Sequence, residues 1–145
     1  MAVVSTLSNH MKYMQGTKKI DFANDSFKII LMDTSFAFDK DAHATLADVS
    51  ASEVATLFGY TQQTKVLAGV VVTEDDSGDK LNVTWDDPSW TASGGNLAGQ
   101  AIGAAIVYDD TTTDDTVIGC IDFGTDLTVP DAIVLQIQDI EFDNE

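Results

Sequence analysis

The run AIGAAIVYDD, Ala101 to Asp110, decides how this chain is read. Its Ala, Ile and Val content fits a strand buried on both faces, closed by the acidic pair Asp109 and Asp110. It is preceded by SGGNLAGQ, Ser93 to Gln100, and a glycine-rich loop raises the question of phosphate binding. A Walker loop ends in Gly-Lys-Ser/Thr, because a lysine must meet the phosphates and a hydroxyl the metal; here Gly99 is followed by Gln100 and Ala101. The dinucleotide fingerprint places glycines first, third and sixth ahead of a helix, whereas GGNLAG has them first, second and sixth ahead of a strand. The glycines therefore read as backbone devices. Gly94 and Gly95 make a bend that uses positive φ. Gly99 and Gly103, with Ala101, Ala104 and Ala105, make the thin part of a strand, against which another backbone packs, a second copy of the chain being one such neighbour.

Working outward, short apolar runs alternate with turn signals, the rhythm of an antiparallel all-β domain. FKIILM (Phe27 to Met32) is one strand; VLAGVVVTED from Val66 is another, joined by the turn DDSGDK (75–80) to LNVTW (Leu81 to Trp85) in a hairpin. After the central run, DDTTTDD (109–115) forms a turn, TVIGCIDFG a strand, and Pro130-Asp131 a further turn. AIVLQIQDIEF supplies the last strand, with Ile133, Leu135 and Ile137 on one face and Val134, Gln136 and Gln138 on the other. In TLADVSASEVATLFG (Thr45 to Gly59) a cap at Ser50 or Ser52, Glu53 in the first turn and Gly59 at the end predict one short helix at about 50–58. The expected fold is thus mainly β, an antiparallel β-sandwich or jelly-roll-like barrel. Residues 1–25 read as an N-terminal arm or extension, 26–140 as a single β-rich domain, and 141–145 (EFDNE) as an acidic tail that frays.

A chain of 145 residues with 44% hydrophobic side chains holds one core. Twenty-four acids oppose seven bases, all lysine, for a net charge of -17. Without arginine forks, and with that charge, nucleic acid is excluded as a partner, and a nucleotide is disfavoured. The charge is uneven: residues 1–40 sum to +1 and residues 41–145 to -18. One reading is an ordinary solvated acidic surface; the sharper one is that the N-terminal segment, through Lys12, Lys18 and Lys19, docks on a partner. No window has the eighteen or so apolar residues of a membrane helix, and the start lacks a basic leader, so a soluble product made in the cytoplasm and no membrane partner are expected. Cys120, the single cysteine, reads as a buried small hydrophobe.

Catalytic patterns are weak. His10 lies in the N-terminal segment and His43 in an acidic loop between Asp39, Asp41 and the following helix signal; nothing places either beside Cys120. The acidic turns EDDSGD and YDDTTTDD match no EF-hand spacing. Asp86 and Asp87 beside Trp85 and Trp90 could be drawn as a glycosidase or sugar-binding cleft, although paired tryptophans more often anchor a core. No cofactor, no metal and no enzymatic activity are expected.

Two longer blocks carry a resemblance. DSFKIILMDTSFAFDKDAHATLADVSASEVATLFGYTQQTKVLAG and WDDPSWTASGGNLAGQAIGAAIVYDDTTTDDTVIGCIDFGTDLTV resemble, in the order of their motifs, small virion-associated structural proteins of tailed bacteriophages. The similarity spans about residues 20 to 138, and departs from the usual pattern where Ala104 and Ala105 stand in place of a basic residue. It implies a β-rich, non-enzymatic virion protein. Within that class the acidic, compact chain fits a capsid decoration (cement) protein on the outer surface of the head, bound to the major capsid protein and to itself as a homotrimer at quasi-threefold points. The alternative is a tail or fibre-associated protein, with Trp85 and Trp90 facing a receptor or glycan.

Overall fold

The computed structural model describes residues 6–144, a mainly β, sandwich-like antiparallel fold. In chain order its elements are β1 (Thr6–Leu7), α1 (Asn9–Gly16), β2 (Phe27–Met32), α2 (Leu46–Val49), β3 (Val66–Leu67), β4 (Val71–Asp75), β5 (Lys80–Thr84), β6 (Ser89–Thr91), β7 (Ile102–Asp109), β8 (Val117–Leu127), β9 (Val134–Gln136) and β10 (Glu141–Asn144). Three sheets form: β1-β8-β7-β2-β3, β10-β5-β4 and β6-β9. The first keeps two open edges, so it is a sandwich layer and not a closed barrel.

β7 lies in the middle of that sheet, paired through Ala104 to Asp109 with the full length of β2 and to β8 through two register shifts. Its side chains divide between two apolar clusters. Ile102, Ala105 and Val107 face the larger one, with Phe27, Ile29 and Leu31 of β2, and with Val83, Trp85, Trp90, Ile140 and Phe142 from the two smaller sheets and their flanks. Ala104, Ile106 and Tyr108 face the other, with Ile30, Met32, Cys120 and Val49, covered by Phe36, Phe38 and Leu46. The strand is buried on both faces, as its composition predicts.

Gly103 explains the thin stretch. A Cβ there would sit 3.2 Å from both the Asp33 carbonyl oxygen and the Thr34 Cα, so the neighbour pressing on the strand is this chain's own 33–34 crossing and not a second copy. Gly94 (φ 88) adopts the positive φ expected of the bend but Gly95 does not, and Gly99, expected in the thin part of the strand, instead has positive φ (68) in a 3-10 turn ahead of β7.

Four sequence expectations shift. The segment 6–25 is not a detached arm: Thr6 and Leu7 pair with Cys120 and Gly119 of β8, Met11 is 0% exposed, and Ile20 and Phe22 join the core. The tail also belongs to the fold, since β10 pairs residue by residue with β5 and Phe142 is 0% exposed. The helix starts earlier than 50–58. Asp48 accepts hydrogen bonds from Thr45 N (2.9 Å) and Ala44 N (3.1 Å), and the cap therefore sits at Thr45; a 3-10 turn follows at Ser50–Ser52, and Glu53 bridges Met32 in extended backbone. Finally, two runs read as single strands are each split. Gly69 (φ 66) separates β3 from β4, and Asp139 (φ 54) separates β9 from β10, which join different sheets. Residues 1–5 and 145 of the expected arm and tail lie outside the described residues.

Phe142→Ala is expected to lower the unfolding free energy by about 3–5 kcal/mol, the cost of emptying a fully buried aromatic site. Urea denaturation measures it; a loss under about 1 kcal/mol would mean that the tail frays after all.

Candidate docking surface

α1 and the turn after it hold all three lysines expected to contact a partner. The helix is placed by its ends. Ser8 N donates to Ile118 O of β8 (3.0 Å) and Asn9 N to Lys40 O (3.0 Å), while Thr17 closes the C-terminus by donating to Tyr13 O (3.1 Å from its N). Met11 enters the core and Met14 packs against it, one helical turn apart, which turns Lys12 and Tyr13 outward. Lys19 N donates to Met14 O (2.9 Å), holding Lys18 in left-handed backbone (φ 61), and both lysines are exposed.

Tyr13 is 65% exposed, stacked on His10 at 6.1 Å between ring centroids. His10 is itself held by Asp114, Nε2 to Oδ2 at 2.8 Å. Among the described residues Lys28 pairs with Asp110, Lys80 pairs with Asp143, and Lys65 donates to Ser89 O and lies 5.3 Å from the Trp90 ring centroid. Lys12, Lys18, Lys19 and Lys40 make no ion pair with any described residue. Among the described residues, the lysines that make no ion pair thus all lie in residues 1–40, three of them on or just after the helix that carries the exposed Tyr13. Two acids also touch the helix: Asp41 accepts a hydrogen bond from Asn9, and Asp114 holds His10. Tyrosine beside free lysines is the composition of a binding rim: a large amphipathic contact with charge to orient it.

The other candidates have structural tasks. His43 accepts from Asp39 N through Nδ1 (3.0 Å), stacks on Phe36 and meets Phe38 at a tilt. Trp85 and Trp90 are both buried, against Phe27 and Tyr60 respectively, so neither offers a face to a sugar ring. Asp87 accepts from Asp139 N (2.8 Å), and Asp86 occupies the space a side chain at Gly69 would need. Many acids cap turns. Asp21, Asp33, Asp39, Asp75, Asp109 and Asp122 each accept, through Oδ1, the N–H two residues ahead. In the acidic turn 75–80, hydrogen bonds from Ser77 and then from Gly78 hold the Asp75 carboxyl below its ordinary range. Among the described residues no three metal-ligating side chains converge, and no helix is long and apolar enough to cross a membrane.

Two buried polar groups gave no signal in the sequence beyond their residue type. Tyr60 O–H donates to Glu53 Oε1 (2.8 Å) and accepts from Leu31 N (3.0 Å), while Gln63 N also donates to Glu53 (3.0 Å). The second group is Asp109, at the end of β7.

Cys120 is buried, and burial pushes its thiol up to about 12. At pH 8 its alkylation by iodoacetamide in the native protein is expected to be on the order of a thousandfold slower than in the unfolded chain, because the thiolate is scarce. Equal rates would show a reactive thiol and revive the nucleophile reading. No protein-family model, curated protein or solved structure matches this chain.

Proposed function

We propose that this chain is a structural protein of a tailed-phage particle, a capsid decoration protein that docks on the outer face of the head through Lys12, Tyr13, Lys18 and Lys19. The observation that carries the reading is that the lysines without an ion pair among the described residues fall on or beside the helix bearing the exposed Tyr13, on a chain whose other charge is acidic. Such a body is repelled by packaged DNA and is compatible with the outside of a shell. The lysine patch orients the chain on an acidic surface of the major capsid protein, and the acidic face points to solvent. Contact at one copy is modest; repetition over a symmetric shell multiplies it. The motif order similar to phage virion proteins supplies the particle, and the patch supplies the docking face.

Copies are proposed to group as homotrimers. The unpaired outer edge of β4, where Val71 and Val72 are exposed, is the surface that supports self-association, and Glu74 and Asp75 at its far end limit how far a neighbouring strand can pair. The tail alternative is weaker on this geometry, because it relied on Trp85 and Trp90 as a stacking surface and both are buried.

Purified protein mixed with heads that lack it is expected to co-sediment with them, less so as salt rises. Tyr13→Ala, and Lys18→Glu with Lys19→Glu, are each expected to weaken binding about tenfold or more while leaving the melting temperature close to that of the wild type. Undiminished binding by these variants would displace the patch as the docking face. Binding to tails or cells and not to heads would sink the decoration reading.

A further inference from the structure

Three stretches of the chain, 54–66, 89–102 and 127–138, hold only two charged residues, Lys65 and Asp131, in a sequence with 24 acids and seven lysines. The fold laces these charge-poor stretches together. Ser93 N donates to Phe58 O (3.0 Å) and Ala92 N to Ile133 O (3.0 Å), so Phe58 and Ile133 are tied to successive residues of the middle stretch. Ala98 N donates to Leu57 O (3.0 Å), and β6 pairs with β9. Both charges are engaged locally, Lys65 on Ser89 O (2.7 Å) and Asp131 on Gly94 N (2.9 Å). Apolar side chains nonetheless stand in solvent here: Leu57 is 44% exposed, Phe58 37%, Ile133 52% and Val134 53%.

This surface is held stiffly. Phe58 has φ 49, a conformation that a bulky side chain rarely adopts. Among the described residues, four of the eight non-glycine residues with positive φ, namely Phe58, Gln63, Ala98 and Ala132, lie on these stretches. Strain of this kind persists where the surrounding structure holds it, and it gathers at binding surfaces. The glycine-rich loop does the holding. A Cβ at Gly95 would sit 2.8 Å from the Phe58 ring, and one at Gly99 would sit 2.7 Å from Leu57 Cδ2. The loop is thus a seat for this chain's own Leu57 and Phe58. Side chains fixed in this way lose little entropy when a partner covers them.

We propose that the surface formed by Leu57, Phe58, Ile133 and Val134 is a contact between copies of this chain. Charge selects the occupant. A net charge of -17 holds copies apart wherever acid faces acid, and a basic partner would be drawn to the acidic faces. Closed symmetry brings equivalent surfaces together, so a charge-poor surface meets its own kind without setting acid against acid. Charge-depleted, aromatic-bearing cores are also what protein interfaces share. The inference rests on the reading of the chain as self-associating and gives it an apolar surface besides the β4 edge; it does not rest on docking to a head. Its dependence on salt has the opposite sign from that of the lysine contact: screening weakens repulsion between acidic copies, so association tightens as salt rises.

Sedimentation equilibrium of the full chain is expected to give a mass that is a multiple of the monomer's, with association strengthening as salt is added. Ile133→Glu with Val134→Glu is expected to raise the dissociation constant about tenfold or more. Phe58→Asn should also weaken association while keeping the diluted monomer's melting temperature close to that of the wild type, since asparagine suits left-handed backbone. Val71→Glu with Val72→Glu, at the β4 edge, is the comparison. Loss of the oligomer in that variant alone would overturn this surface and leave the β4 edge standing; loss in the surface variants alone would do the reverse. A wild-type protein that is monomeric at every concentration would overturn both, because the exposed side chains would then serve a different partner. Association that weakens with salt would mark a charge-driven contact and also overturn the proposal.

Discussion

A central strand with side chains buried on both faces obliges the rest of the chain to supply two covers, and β7 is that strand. One cover is made of strands. β5, β10 and β6 lay Val83, Phe142 and Trp90 across one face, where α1 adds Met11. The other is made of little regular structure: the 33–52 stretch, with Phe36, Phe38, Leu46 and Val49. Each fully buried aliphatic side chain in these layers contributes about 1.5–3 kcal/mol before the entropy of ordering is set against it. The second cover passes so near the sheet that a side chain at position 103 would press on the Asp33–Thr34 backbone at 3.2 Å. Close passage also buries backbone that must be hydrogen-bonded, and the Glu53–Tyr60 pair supplies one such partner at Leu31 N.

The central strand sets where polarity enters the core. β7 ends at Asp109 while still wholly buried, and the turn that reverses the chain into β8 begins with that carboxyl. An aspartate capping a turn through Oδ1 is ordinary here, since at least five others do the same. What sets Asp109 apart is that its second oxygen is buried with no hydrogen-bond partner among the described residues. The same residue type therefore serves as a solvated turn cap at Asp75 and as a buried acid at Asp109, and burial makes the difference.

Local pattern revealed the strands that pair with sequence neighbours or fill the middle of the sheet. FKIILM and AIGAAIVYD correspond to β2 and β7, and the DDSGDK turn does join a hairpin, because apolar content and turn chemistry are short-range signals. What escaped depended on tertiary context. Met11, Ile20 and Phe22 are scattered among polar residues, with no period to announce a buried face, so the N-terminal segment read as an arm. Phe142 among acids read as a tail for the same reason. Val66 to Asp75 read as one strand because nothing in the sequence shows that Gly69 takes positive φ and sends its two halves to different sheets. Of the proposed docking surface, the lysines were legible from charge asymmetry; the exposure of Tyr13 was not, because it follows from Met11 and Met14 turning the helix.

Native-state hydrogen exchange tests the two-faced core most directly. Amides of β2 and β7 are expected to exchange only with global unfolding, with Met11 and its helix protected well above a free peptide because they close the larger cluster. Exchange of β7 amides faster than those of the β4–β5 hairpin, or of residues 9–16 at free-peptide rates, would contradict it.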